Sequence, residues 1–284
     1  MKRIVLGDSR DLDNYPKDPF HLTVTSPPYF VGKKYEEDYS YEEYLDLLKE
    51  VFSNVADKTV EGGKIAINIA DIAAFSKVSG KIEEGIEVSR LLAKWLREKD
   101  CYLLARYIWH KDDPWVNSQQ VCYHDGTPAT YVRCLPNWEY IWIYYKINPK
   151  RSDLPVLNED NSDPKRVYSV TDSISKEDWK KWVSSVWQMR SVQSNKDHEA
   201  KFPEEFARRL ILLYSIRGDT VFDPFMGSGT TAVAAHNVGR DFVGIERDPK
   251  YHELAIENVE KAINTNVIEE AYIAPDRYKQ NKLF

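Results

Sequence analysis

The sequence has no run of about 18 apolar residues, so nothing in it reads as a membrane-spanning helix, and its start, MKRIVLGDSRDL, lacks the apolar stretch of a secretory signal. A soluble, cytoplasmic protein is expected. Cysteine is scarce, with three in 284 residues: Cys101, Cys122 and Cys134. A small odd number fits a reducing compartment better than a disulfide framework. There is no C-x-x-C pair either, so Cys122, His124 and Cys134 are not read as ligands and no metal is expected. Excess positive charge is also missing. With 39 Lys and Arg against 45 Asp and Glu the net charge is −6, which counts against a nucleic-acid partner, because phosphate binding usually leaves a basic footprint. Net charge does not describe one face, however: residues 106–200 balance their charges while the ends carry the acidic excess.

Apolar residues make up 42% of the chain, enough for one large core, or a core with a small inserted module. His21–Thr25 reads as a short buried strand. Tyr41–Lys58 reads as a helix, with Tyr44, Leu47, Leu48, Val51, Phe52 and Val55 at helical spacing. Gly62 and Gly63 suggest a turn into a β-rich run at 64–70. A helix over about 82–99 leads to the strand CYLLARYIW, ending at Trp109, and EYIWIYYK at 139–146 is a further strand. From Phe202 the alternation is regular: helix Glu204–Ile216, strand Thr220–Asp223, helix Thr230–Val238, strand Asp241–Glu246, and helix Pro249–Ile263 with proline at its start. This pattern predicts an α/β protein with a mainly parallel sheet covered on both faces. Residues 147–195 interrupt it. They are rich in Asn, Asp, Ser and Pro with no clear period outside WKKWVSSVW, and irregular stretches of that length tend to be functional. The last twenty or so residues read as a loosely held tail.

TVTSPPYF, at 23–30, begins as a strand and stops on two adjacent prolines with an aromatic behind them. Each proline has φ fixed near about −65° and pushes its predecessor into extended conformations, so Ser26 and Pro27 are held nearly immobile. Neither proline has an N–H. The backbone there offers carbonyl acceptors and few donors, beside the Ser26 hydroxyl and the flat ring of Tyr29. An aromatic amine suits such a pocket. Acceptors on its two hydrogens favour the pyramidal form whose lone pair can attack an electrophile, and stacking on Tyr29 adds about 1–3 kcal/mol.

DPFMGSGTT, at 223–231, sets Gly227, Gly229 and Ala232 in a G-x-G-x-x-A pattern between a strand and a helix. Alone it would suit a dinucleotide. Glu246 ends the next strand 17 residues after Gly229, where a carboxylate can accept hydrogen bonds from both ribose hydroxyls. A nucleoside ligand is the expectation. Asp223, expected at the mouth of the turn, would repel a pyrophosphate and suit an amino-acid ammonium. That favours S-adenosylmethionine.

Together these stretches resemble the amino-methyltransferases of DNA, which use S-adenosylmethionine to methylate the exocyclic amine of cytosine or adenine. TSPPY (25–29) is similar to the family's catalytic motif and FDPFMGSGTT (222–231) to its cofactor motif. Between them GGKIAINI, IWHK and EYIWIYYK resemble the intervening strands, and HEAKFPEEFARRLI (198–211) the segment ahead of the cofactor strand. LGDSRDL (6–12) is similar to the N-terminal element whose aspartate, here Asp8, lies near the adenine, and RDFVGIERDPKY ends the match. The resemblance implies a catalytic set of Ser26, Pro27, Pro28 and Tyr29. It implies a cofactor-binding set of Asp8, Phe202, Asp223, Pro224, Phe225, Gly227, Ser228, Gly229, Thr230, Thr231 and Glu246.

The order, catalytic motif first, resembles the permuted β class. It implies a seven-stranded, mostly parallel, Rossmann-like methyltransferase sheet with helices on both faces. Residues 1–146 would form the catalytic half, 147–195 the target-recognition region, and 196–284 the cofactor-binding half with the tail. The loop from Lys111 to Pro136 would assist through Trp115, Asn117, Gln119, Gln120 and Arg133, whose side chains can read base edges. The implied partner is double-stranded DNA with its target base flipped out. A restriction endonuclease would be its functional counterpart in the prokaryotic cytoplasm, the enzyme being a monomer or homodimer. Serine in SPPY is similar to the cytosine N4 enzymes, whereas Asp or Asn there is usual for adenine N6 enzymes, and a hydroxyl can serve either amine. An RNA substrate, a non-catalytic DNA-binding module and a nicotinamide dehydrogenase are the alternatives. The last gives no reason for TSPPY.

Overall fold

The computed structural model describes residues 2–30, 40–73, 85–111, 137–147, 174–190 and 202–265. Its strands are β1 (Lys2–Leu6), β2 (Phe20–Thr25), β3 (Thr59–Ile69), β4 (Ile72–Ala73), β5 (Gly85–Ile86), β6 (Cys101–His110), β7 (Trp138–Lys146), β8 (Val186–Gln188), β9 (Thr220–Asp223) and β10 (Asp241–Glu246). Its helices are α1 (Tyr41–Lys58), α2 (Val88–Arg97), α3 (Lys176–Trp182), α4 (Glu204–Tyr214), α5 (Thr230–Asn237) and α6 (Pro249–Asn264).

Local chemistry sets the helix ends. The Ser40 hydroxyl accepts from the Glu43 amide at 3.2 Å while the Glu43 carboxylate accepts from the Ser40 amide at 2.7 Å, a reciprocal cap that starts α1. The helix then buries Tyr44, Leu47, Leu48, Val51, Phe52 and Val55, the face that the spacing predicts. Asp248 caps α6 through its side chain, and Pro249 occupies the first turn, where a missing N–H costs nothing.

Eight strands form one sheet in the order β1-β10-β9-β2-β3-β7-β6-β8, one strand more than expected. Every neighbouring pair is parallel except those of β7, which runs antiparallel to β3 and β6. In the middle β2 pairs with β9, Leu22 opposite Val221 and Thr23 opposite Phe222, which joins the first and last parts of the chain. On one face Leu22, Val24, Ile141 and Ile143 pack with Phe206 and Leu210 of α4 and Ala232 and Ala235 of α5. On the other, Ile65, Ile67, Phe222 and Val243 pack with Leu48 and Phe52 of α1 and Leu92 and Leu96 of α2. Burial on both faces is why the central strands read as apolar runs.

The structure departs from the sequence reading in three places. Thr59–Ile69 is one strand, not a turn followed by a strand. Gly62 has φ +79°, and this lets β3 bulge, so that Phe20 faces Thr59 while Leu22 already faces Lys64. The helix expected over 82–99 is described as α2, shorter at both ends and preceded by β5. Finally, WKKWVSSVW belongs to the core. It forms α3 and β8, and β8 pairs with the edge of β6, Trp109 opposite Trp187. Trp187 is 1% exposed, donates its ring N–H to the Trp182 carbonyl at 2.8 Å, and lies against Tyr107 and Phe206. Trp182 and Trp187 are buried while Trp179 stays 46% exposed, so two of the three tryptophans tie the segment to the core.

The rest of the proposed recognition segment (148–173 and 191–195) lies outside the described residues. So do the loop 112–136, with Trp115, Asn117, Gln119, Gln120, Cys122, His124, Arg133 and Cys134, and the tail 266–284. Among the described residues no helix is long and apolar enough to cross a membrane.

Candidate active site

Strands β1, β10, β9, β2 and β3 are parallel, so Leu6, Glu246, Asp223, Thr25 and Ile69 all end at one edge of the sheet. Ligands of open α/β sheets bind outside that edge, where the strand order reverses. Both corners singled out in the sequence leave from it side by side.

Asp223 joins them. Its Oδ1 accepts from the Thr25 hydroxyl at 2.6 Å and from the Phe225 amide at 3.0 Å, and its Oδ2 accepts from the Thr231 hydroxyl at 2.7 Å. The carboxylate is 2% exposed. It therefore lies beneath the glycine turn and not at its mouth, because three donors draw it inward. Burial pushes its pKa up to about 6, against the opposing pull of its hydrogen bonds from Thr25, Thr231 and Phe225. Thr25 is the residue before Ser26, and Thr231 lies in the first turn of α5. One buried carboxylate thus fixes the proline corner to the glycine corner.

The turn above it is held from several sides. Gly229 has φ +87° and ends where α5 begins. A Cβ there would come within 3.1 Å of the Ala255 Cα, so the turn and α6 pack backbone to backbone. Gly229→Ala should therefore cost about 1–3 kcal/mol of stability, read as a lowered urea midpoint with an unchanged slope. A wild-type midpoint would remove the packing argument. The Ser228 carbonyl accepts from Asn258 of α6 at 2.9 Å, and the Pro224 carbonyl accepts from the Ser9 hydroxyl. Phe225 packs near Phe52.

Glu246 ends β10 beside this turn. Its Oε2 accepts from the Gly227 amide at 2.7 Å and its Oε1 from the Asp248 amide at 2.9 Å. Burial raises its pKa, while the backbone bonds from Asp248, Gly227 and Arg247 oppose the rise. Asp8 lies just beyond β1, where the Gly7 amide donates to the Glu246 carbonyl at 2.9 Å. Arg10 clasps Asp8 with Nε at 3.1 Å from Oδ1 and Nη2 at 2.6 Å from Oδ2, and this pairing, the largest cause, lowers the Asp8 pKa. Phe202 precedes α4. It is 8% exposed and packs on Phe206, in the cluster that also holds Met226 and Ala232. The structure thus gathers Asp8, Asp223, Pro224, Gly227, Ser228, Gly229, Thr231 and Glu246 around one corner and sets Phe202 in the core beneath it.

Ser26 and Tyr29 follow β2 directly. The Pro28 carbonyl accepts from Tyr44 of α1 at 3.0 Å, whereas the Pro27 carbonyl accepts no hydrogen bond among the described residues. Tyr29 is held at its far end, its hydroxyl 3.1 Å from Glu139 Oε2. Burial and then the Glu139 charge push the Tyr29 phenol well above the usual tyrosine range, so it keeps its proton and donates. Thr25, Glu139, Lys111 and Ser9 lie within the matched stretches TSPPY, EYIWIYYK, IWHK and LGDSRDL but were not singled out as site residues, because their side-chain partners come from distant parts of the chain.

A reversed strand order with an acceptor-rich proline corner beside a glycine turn, and a carboxylate ending the next strand, is the architecture of an α/β methyltransferase with permuted motifs. Comparison with known proteins agrees. The chain is 32% identical to the type II methyltransferase M.BglI of Bacillus subtilis, over 89% of this chain and 84% of that protein. It is 30% identical to M.MjaI of Methanocaldococcus jannaschii, with 90% of each covered. The putative DNA modification methylase TTHA0409 of Thermus thermophilus, solved in complex with S-adenosyl-L-methionine, superposes with a TM-score of 0.68 at 29% identity, covering 93% of this chain and 95% of that one. The cytosine-N4-specific PvuII DNA methyltransferase shares the fold, with a TM-score of 0.63 at 19% identity over 92% and 89% of the two chains. The DNA methylase family model matches residues 20–257, and the chain belongs to that family.

Proposed function

We propose that this protein transfers a methyl group from S-adenosylmethionine to the exocyclic N4 amine of a flipped-out cytosine in duplex DNA. The observation that carries this reading is the Thr25–Asp223–Thr231 bridge, which sets the proline corner and the glycine turn at hydrogen-bond distance from one another. The residues suit that cofactor. The turn Asp223–Thr231 carries no Lys or Arg to pair with a pyrophosphate, and Glu246 beside it offers a carboxylate to a ribose. When bound, the cofactor supplies an electrophilic methyl group on a positively charged sulfur.

The chain's own residues then have distinct tasks. Glu246 accepts from the ribose hydroxyls with lone pairs that Gly227 and Asp248 leave open. The Pro27 carbonyl and the Ser26 hydroxyl accept from the two amine hydrogens, which frees the nitrogen lone pair for attack. Tyr29 holds the extruded base by stacking, which offsets part of the few kcal/mol that flipping costs. Rate comes from positioning, with no strongly basic group required.

Serine at position 26 supports cytosine as the target. The similarity to type II methyltransferases supports a place as the modification partner of a restriction endonuclease, in the prokaryotic cytoplasm. Target recognition is assigned to residues 147–195, assisted by the loop from Lys111 to Pro136.

The test is to incubate the protein with methyl-labelled S-adenosylmethionine and mixed-sequence duplex DNA, digest to nucleosides and identify the labelled species by mass spectrometry. N4-methylcytosine is the expected product. N6-methyladenine would keep the mechanism and overturn the base, while unlabelled DNA would overturn the reading.

A further inference from the structure

Two prolines fix the backbone that leads into Tyr29, but they do nothing to its side-chain torsions. A ring that is to receive a flat base must present its face in one direction before the base arrives, or the binding step has to order it. The Tyr29 hydroxyl supplies that constraint by donating to Glu139 Oε2 at 3.1 Å; the Asn68 carbonyl, at 3.5 Å, is at the limit of reach. Glu139 is itself held, since its Oε1 accepts from Lys111 Nζ and its side chain is 12% exposed. Lys111 Nζ in turn sits 4.6 Å from the centre of the Trp109 ring, a buried residue of β6. The antiparallel pairing of β6 and β7 makes this possible. It sets Trp109 opposite Glu139, and the Lys111 amide donates to the Asn137 carbonyl at 2.7 Å.

We propose that Glu139, fastened by Lys111, is a positioning residue that orients the Tyr29 ring for the target base. The proposal rests on the reading of Tyr29 as the stacking residue. Glu139 bonds the Tyr29 hydroxyl and Lys111, so its effect on the base is exerted through Tyr29. A carboxylate is well suited to the task, because a charged acceptor makes a stronger bond to the phenol than a carbonyl would. Lys111 keeps that carboxylate from turning away to solvent.

The test is a double-mutant cycle on methyl transfer to duplex DNA with Glu139→Ala, Tyr29→Phe and the pair, together with Glu139→Gln. Glu139→Ala should lower kcat about tenfold and leave KM for S-adenosylmethionine unchanged. In the Tyr29→Phe background, where the hydroxyl is already gone, it should have little further effect. Glu139→Gln should restore most of the rate, since its amide oxygen still accepts from the phenol. Equal costs of Glu139→Ala in both backgrounds would mean a role unrelated to Tyr29 and would overturn the proposal. Crystal structures of the wild type and Glu139→Ala decide it without an activity. The Tyr29 ring should be displaced or disordered in the variant, and an unmoved ring overturns the positioning role even if the substrate proves not to be DNA. A wild type that leaves DNA unmethylated but whose Tyr29 ring moves in Glu139→Ala would overturn the substrate reading alone.

Discussion

Replacing Tyr29 by alanine should reduce methyl transfer to DNA about a hundredfold or more, with affinity for S-adenosylmethionine within about twofold of the wild type. Stacking on an aromatic ring is worth about 1–3 kcal/mol per base, and misplacing the reacting nitrogen by a fraction of its contact distance adds to that loss. The variant leaves the glycine corner intact. Asp223 keeps its bonds to Thr25, Phe225 and Thr231, and Glu246 keeps Gly227 and Asp248. Single-turnover transfer of labelled methyl groups measures the first quantity and calorimetric titration the second. A variant that lost cofactor affinity would show that Tyr29 belongs to the cofactor corner.

Replacing Glu246 by alanine should act in the opposite way, weakening the cofactor about tenfold to a hundredfold. Hydrogen bonds to a charged group are worth about 1.5–3 kcal/mol, and about 1.4 kcal/mol corresponds to tenfold. The carboxylate also holds the Gly227 amide, so the turn would lose a brace together with the proposed ribose contact. A pH effect accompanies this in the wild type. Burial raises the Glu246 pKa, so the group takes up its proton at a higher pH than an ordinary glutamate, and cofactor affinity should decline as pH falls through that range. Glu246→Ala should show a weaker decline, the remainder coming from Asp223, whose pKa of about 6 places its titration beneath the turn in the same range. Unchanged affinity in the variant at neutral pH would refute the ribose role.

Most of the fold was legible because burial writes itself into spacing. α1, β9 and β10 have the bounds that their apolar patterns suggest, since a helix packed on one face, or a strand packed on both, leaves little freedom in where apolar residues fall. WKKWVSSVW was legible only in part. Its period set it apart from the irregular residues around it, but a seven-residue helix and a three-residue strand are too short to be assigned from that period, and only pairing with β6 made it an eighth strand.

The sequence by itself determined both chemistries of the site. Adjacent prolines must make a rigid corner with acceptors and no donors, and glycines between a strand and a helix must make a turn open to a ligand, because these are properties of single residues and their neighbours. Tertiary structure alone decided that the corners meet. The pairing of β2 with β9 sets Thr25 beside Asp223, and burial turns a carboxylate expected at the mouth of the turn into the brace beneath it. It also decided that Glu139 and Lys111 stand behind Tyr29. Hydrogen bonds between distant strands depend on sheet register, and register is set by how the two faces pack, which no local pattern records.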